Sequence, residues 1–377
     1  MMKCLWVAFL TLLTTGLNAQ TLPKKCYQRL QGFMDERIEV TLNLIKVNDS
    51  VFVDYCLTAS PAVARQYNIH SGAPGTAGGK ITTDGSFTLK ASYDDQQMEI
   101  RGKFITNHII SGTWQIEKNE ARHKFTVSEN YPSGSLPLSV YYQTATKPLI
   151  SKKTTPRAYI EQCLVVPVIS SNATCDTIRN RIMTLFAGGK PASYDPQILV
   201  NSLQQSYFKN YLSDNVELLK QQAAVALLNW DLYKLMHIVY NEKSILSFYT
   251  ESYAFTGGAH GLGAQDYKVI NVKTGKIVTS GDIFIRDFEP ALTRLLTTKL
   301  KHTEGLGPED KLSEKAEYFS DEVAPTNNLY ITGSGIGFFY NHYEIAPYSH
   351  GFTDIFLTWE ELSPILKPGS IVDPLLK

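Results

Sequence analysis

Thiols are scarce in this 377-residue chain: there are five cysteines, none in a C-x-x-C pair and none close to a second histidine or cysteine. That leaves no sequence signature of a zinc finger. Net charge is missing too, because 36 basic residues balance 36 acidic ones. Nothing therefore favours nucleic acid or an anionic membrane surface as a partner. No stretch approaches eighteen consecutive apolar residues, so no membrane-spanning helix is expected. The usual catalytic signatures are also lacking. Gly72 to Gly79 precedes no helix and has no P-loop lysine and hydroxyl, so it reads as a flexible loop. Ser334, in Gly333-Ser334-Gly335, lacks the full G-x-S-x-G elbow. Gly258 to Gly263 leads into a strand, without the helix terminus that binds a dinucleotide phosphate.

What is present is tyrosine, 21 residues, with 17 phenylalanines. This suits a β-rich protein outside the cytoplasm, where tyrosine packs its ring and keeps its hydroxyl wet. Lys3, the apolar run Leu5 to Leu13 and the small-residue site ending at Ala19 read as a signal peptide over residues 1–19. A periplasmic or secreted location is the expectation. Beyond that segment stand Cys26, Cys56, Cys163 and Cys175, an even number in an oxidising compartment. Of the three possible pairings, Cys26–Cys56 with Cys163–Cys175 keeps each bridge inside one domain. Each disulfide would contribute roughly 2–4 kcal/mol.

Length predicts two domains. Residues 26–143 form short strands with turn signals about every ten residues. Ile38, Val40, Leu42 and Leu44 alternate inward, and Asn48-Asp49 turns the chain into a second strand from Val51. The expectation is an antiparallel β-meander or small barrel. Residues 144–157, rich in Thr, Lys and Pro, read as a linker. Residues 158–377 mix helices with strands in an α+β domain, with the helices packed on a mostly antiparallel sheet. Its centre is Ser244 to Phe284: a strand over Ile245–Phe255, a glycine turn at Thr256–Gly261, and a second strand from Gln265. Helices are expected near 176–187, from Pro196, over 217–229, 287–301, 309–319 and 359–366.

The order Y-x-F-T-G-G-A-H-G, then T-G-K, G-D-I-F, G-F-F-Y-N-x-Y-E-I-A-P-Y-x-x-G and a closing W-x-E-L resembles one extracytoplasmic family. It is the domain at the C-terminus of the anti-sigma factor RsiV, which also accompanies the catalytic domain of the peptidoglycan deacetylase PdaC. The resemblance covers about residues 158–366. It implies an α+β fold and a binding role in the cell envelope, toward peptidoglycan-type glycan or a protein such as lysozyme. The chain departs from both relatives, with neither an anti-sigma segment nor a deacetylase domain. The D-G-x-F-x-L, I-x-G-x-F and S-G-x-W pattern of the first third resembles small secreted β-domains of Bacteroidetes type.

Two readings compete for the residues of these motifs. The first is a non-catalytic surface without cofactor or metal, built from Thr256, Gly257, Gly258, His260, Asn341, Tyr343, Glu344, Tyr348 and His350. Tyrosine suits such a surface because it brings a large rigid ring with few torsions. The second is a zinc-dependent peptidoglycan hydrolase or deacetylase-like enzyme. Its ligands would be His260, His342 and His350, with Glu344 as general base on the same strand face as His342.

Overall fold

The computed structural model describes residues 23–93, 96–116, 121–169, 172–221 and 225–376. The segment read as a signal peptide lies outside the described residues. Eight strands open the fold: β1 (Lys25–Met34), β2 (Ile38–Val47), β3 (Ser50–Thr58), β4 (Pro74–Ile81), β5 (Ser86–Tyr93), β6 (Gln96–Thr106), β7 (Ile109–Ile116) and β8 (His123–Glu129). Each pairs antiparallel with the next, and β8 returns to β1, closing a barrel. Inward alternation fills it with Leu30, Leu42, Leu44, Val53, Leu89, Ile100, Trp114 and Phe125, all nearly inaccessible to solvent. Helix α1 (Pro61–Tyr67) follows β3, and Val63 and Tyr67 pack against that core.

The glycine-rich stretch from Gly72, expected to be a flexible loop, is mostly strand β4. Its glycines are there for close approach: a Cβ on Gly75 would sit 2.4 Å from the Tyr55 ring. A run of small residues carries no visible alternation, so sequence pattern alone hides such a strand.

The second sheet has six strands. β9 (Leu138–Pro148), β10 (Arg157–Pro167), β11 (Trp230–Glu242), β12 (Ile245–Phe255), β13 (Leu262–Asn271) and β14 (Lys276–Ile277) lie side by side in that order. Residues 144–148, expected to begin a linker, instead finish β9 and pair with β10 from Thr144↔Glu161 to Pro148↔Arg157. β10 and β11 run parallel. The crossover between them carries α2 (Ala173–Ala187) and α3 (Pro196–Lys220), as a parallel connection requires. Asn172 caps α2 by accepting from the Thr174 and Cys175 N–H groups, and Gly188 ends it at φ 72°. Asp195 caps α3 ahead of Pro196. That helix runs unbroken to Lys220, so the helix expected over 217–229 is its last turn followed by a short 3-10 turn at Val225–Leu228.

The chain then forms α4 (Ser280–Ile283), α5 (Glu289–Thr303) and α6 (Leu312–Lys315), the last much shorter than expected. A three-stranded antiparallel sheet closes the fold: β15 (Leu329–Ile331), β16 (Gly335–Tyr340) and β17 (Thr353–Thr358), followed by α7 (Trp359–Leu362). Leu292, Leu296 and Leu300 of α5 pack with Phe338, Ile355 and Leu357 of this sheet. The α+β class read from the sequence is the observed one.

All four described cysteines are free thiols, so the expected disulfides are not formed. Register explains the first. Cys26 faces Lys46 and Cys56 faces Thr41, five residues apart on the shared neighbour β2. At ~3.3 Å per residue that separation far exceeds the Cα–Cα span of about 7 Å that a disulfide can bridge. Cys163 is buried on β10, and Cys175 sits in the first turn of α2.

Candidate functional site

The glycine turn and the segment after β16 come together, and the joint between them is one carbonyl. Gly261 O accepts from the Tyr348 hydroxyl at 3.3 Å and from His260 Nδ1 at 2.9 Å. A Cβ on Gly261 would lie 2.3 Å from Tyr253 Oη, so the absence of a side chain lets Tyr253 close over the turn. Gly257 and Gly258 hold φ of 91° and 106°, and a Cβ on Gly257 would meet Leu227 O at 2.8 Å. Thr256 leads into this turn from the end of β12.

Around Tyr348 the rings gather. Its centroid is 4.5 Å from His260, 4.4 Å from His342 and 5.7 Å from Tyr343. His342 also lies 4.3 Å from Phe352, which continues inward to Phe339 at 5.3 Å, then Tyr267 at 5.0 Å and Tyr249 at 4.6 Å. A continuous file of aromatic rings thus runs from the surface to the domain centre. Its outer end is open: Tyr343 is 55 % exposed, Leu262 52 %, Phe352 38 % and Tyr253 37 %. Buried within the file, His342 Nδ1 has no hydrogen-bond partner.

The expected strand through Asn341–Glu344 is a turn, because β16 stops at Tyr340. Glu344 Oε2 accepts the Asn341 N–H at 2.8 Å, which closes the turn and holds Tyr343 at φ 67° with its ring projecting. Asn341 is committed elsewhere. Its Oδ1 accepts the Gln265 N–H at 2.7 Å and its Nδ2 donates to the Gln265 carbonyl at 3.2 Å. Asn328 adds a donor to the same carbonyl at 2.9 Å and accepts the Tyr267 N–H at 2.6 Å. Two asparagines therefore satisfy the β13 edge where no strand pairs with it, fastening the three-stranded sheet to the six-stranded one.

The three histidines of the zinc reading do not converge. His260 and His342 each stack on Tyr348, while His350 packs on Tyr318 at 4.6 Å and donates from Nε2 to Ala316 O at 3.2 Å. Among the described residues no three His, Cys, Asp or Glu side chains are grouped to hold a metal ion. Glu344, the base of that reading, is occupied in closing its turn.

Residues 155–263 match the family described as Deacetylase PdaC, and residues 281–360 match a Protein of unknown function (DUF3298) family. Together the two matches support a PdaC/RsiV-type domain. A crystal structure of a DUF3298 family member from Bacteroides fragilis NCTC 9343 shares the fold at TM-score 0.60 and 23% identity, covering 64% of this chain and 98% of that one. A DUF3298 family protein from Pseudomonas aeruginosa PAO1 matches at TM-score 0.45 and 19% identity, over 62% and 95%. No curated protein matches the chain. The PdaC/RsiV-type domain belongs to an envelope-associated group. Among the described residues no helix is long and apolar enough to cross a membrane.

One polar cluster was not expected from the sequence. His237, on β11 of the PdaC/RsiV-type domain, meets Asp54 of the barrel, with Nδ1 3.1 Å from Oδ2, and its Nε2 lies 3.5 Å from Glu251. Burial alone would lower the imidazole's pKa, but the Asp54 charge and hydrogen bond, then Glu251, outweigh it and lift it to about 10. Beside this cluster Arg29 pairs with Glu242, and Asn43 Nδ2 donates to Val239 O at 3.1 Å. Arg29, Asn43 and Asp54 lie opposite one another on β1, β2 and β3, forming one row across the barrel wall. Only Asp54 carried a sequence signal, as the one charged residue of β3; Arg29 and Asn43 share their strands with other charged and amide side chains.

Proposed function

We propose that the chain is a secreted or periplasmic envelope protein that binds rather than catalyses. Its PdaC/RsiV-type domain recognises a peptidoglycan-type glycan or a protein such as lysozyme. The contact surface is the Gly257–Gly261 turn with Tyr343, Tyr348, Phe352 and Tyr253. The observation that carries this reading is the ring cluster around Tyr348, rigidly held by the Gly261 carbonyl yet open at Tyr343 and Phe352. Anchored aromatic rings with exposed faces supply most of the energy at recognition surfaces. The orphaned His342 Nδ1 is a polar atom available to a ligand that reaches into the cluster.

Calorimetric titration of the purified chain with muropeptides and, separately, with lysozyme tests the proposal. Saturable binding of one of them, weakened by Tyr348→Ala and by His260→Ala, is expected. Binding of neither, or binding indifferent to both substitutions, would overturn it.

A further inference from the structure

The face of the six-stranded sheet that the barrel covers at His237 continues past the barrel, and there it changes character. Register places Tyr159 beside Asp231, Glu161 beside Tyr233, and Tyr233 beside Tyr253, all on this one face. The rings of Tyr159 and Tyr233 are 5.6 Å apart, and those of Tyr233 and Tyr253 are 6.0 Å apart. Three tyrosines in neighbouring strands thus form a row over roughly 10 Å, given strand spacings near 4.8 Å. Carboxylates flank the row. Glu161 accepts the hydroxyls of Tyr142 and Tyr159, each at 2.9 Å, and Glu251 stands 46 % exposed at the barrel corner.

Four carboxylates, Asp54, Glu161, Asp231 and Glu251, stand on this face against two cations: Arg157 pairs with Asp231, His237 is shared by Asp54 and Glu251, and Glu161 has only tyrosine hydroxyls. Lys25 reaches the far edge only to bond the Tyr142 carbonyl. The face is net negative, which disfavours nucleic acid and other polyanions. Arg157 itself shows what the face accepts: its guanidinium lies 5.5 Å from the Tyr159 ring centroid and pairs with Asp231 at 2.9 Å. The attraction of a cation to an aromatic face is reinforced by a neighbouring carboxylate. Tyr233 and Tyr253, one and two strands along, repeat that ring with Glu161 and Glu251 alongside, and among the described residues no guanidinium lies over either ring.

We propose that the Tyr159–Tyr233–Tyr253 row is a docking strip for a basic segment of a partner protein, whose arginine or lysine side chains lie over Tyr233 and Tyr253 and pair with Glu161 and Glu251. The row spans three strands, so its occupant is a segment with several basic side chains and not a single amine. This strip shares Tyr253 with the Tyr348 surface, but Tyr159, Tyr233, Glu161 and Glu251 belong to the strip alone, so the two are tested separately.

Titration of the full chain with an arginine hexapeptide, its citrulline counterpart and a neutral chito-oligosaccharide tests the strip. Saturable binding of the arginine peptide alone is expected, weakening as salt rises. Tyr233→Ala and Glu251→Gln should each reduce affinity roughly fivefold, while Tyr233→Phe keeps it, because the ring and not the hydroxyl is used. Tyr348→Ala should leave it unchanged, which separates this strip from the surface proposed above. Equal binding of the citrulline peptide, preferred binding of the oligosaccharide, or indifference to Tyr233→Ala in a variant with unaltered thermal unfolding would overturn the proposal.

Discussion

Asp54 Oδ2 lies 3.1 Å from His237 Nδ1, joining residues 183 positions apart in the chain and fastening the barrel to the sheet. Both side chains are buried, and the imidazole is stacked on Tyr249 at 4.5 Å and 7°. Tyr249 also donates its hydroxyl to Asp54 at 3.4 Å. Removing one member leaves the other charge buried and unpaired. His237→Ala should therefore cost about 3–5 kcal/mol, read as a lower urea midpoint. Replacing both residues by apolar ones of similar volume should cost less than either single change, which a double-mutant cycle checks.

The same pair predicts how stability responds to pH. His237 has its folded pKa raised from 6.5 to about 10, so its contribution is complete below pH 6.5 and is lost as pH rises toward 10. Glu251 works in the other direction. The His237 hydrogen bond holds its carboxyl below 4.5, so its contribution is present above that pH and disappears on acidification. Unfolding midpoints measured between pH 5 and 11 should fall on the alkaline side in the native chain, and the fall should be shallower in His237→Ala.

The free thiols give a chemical test. Burial pushes the Cys56 thiol up to about 11 and the Cys163 thiol to about 12, and raises that of Cys26. Thiolate is then scarce near neutral pH. Alkylation of the native protein at these three positions should be slow. In denaturant without reductant, Cys26, Cys56, Cys163 and Cys175 should all become alkylated, as mass mapping would show. A Cys26–Cys56 or Cys163–Cys175 bridge would protect its pair.

Asn341 was readable as a motif residue, but its task was not. Asn341→Ala would strand the Gln265 N–H and cost about 1–3 kcal/mol. Asn341→Asp keeps that acceptor but sets a carboxylate oxygen against the Gln265 carbonyl, which the native amide approaches at 3.2 Å. Thermal unfolding should therefore rank the native residue first, with both variants below it.

Gly261→Ala tests the Tyr348 surface without deleting any ring. The new methyl would meet Tyr253 Oη at 2.3 Å, the movable tip of a half-exposed side chain. The expected result is a small loss of stability with a clear loss of ligand binding, measured by calorimetry on the same preparation.

Local pattern made much of this architecture legible. The alternation from Ile38 to Leu44 gave β2, and the bounds read for Ile245–Phe255 are those of β12. Asp195-Pro196 marked the start of α3. Pattern failed where the deciding contact was remote or the residues were small. Gly75 is in a strand because the Tyr55 ring fills its space, and nothing near Gly75 in sequence says so. Asn341 to Glu344 extend a run of strand-forming aromatics, yet the Glu344 carboxylate turns them away. The motifs named Tyr253, His260 and Tyr348, and Phe352 stood in the same aromatic run, but which of these rings meet depends on how the folded chain brings them together. His237 looked like an ordinary strand residue because its partner Asp54 lies in the other half of the fold.

The barrel has a packed interior and meets the rest of the chain through its wall. Its orientation is written in a line of one cation, one amide and one anion: Arg29, Asn43 and Asp54. Another barrel of the same size grafted in its place would find the seat only by presenting that trio in the same order. Reversing Arg29 and Asp54 would set like charges against Glu242 and His237 and turn the seat into a barrier.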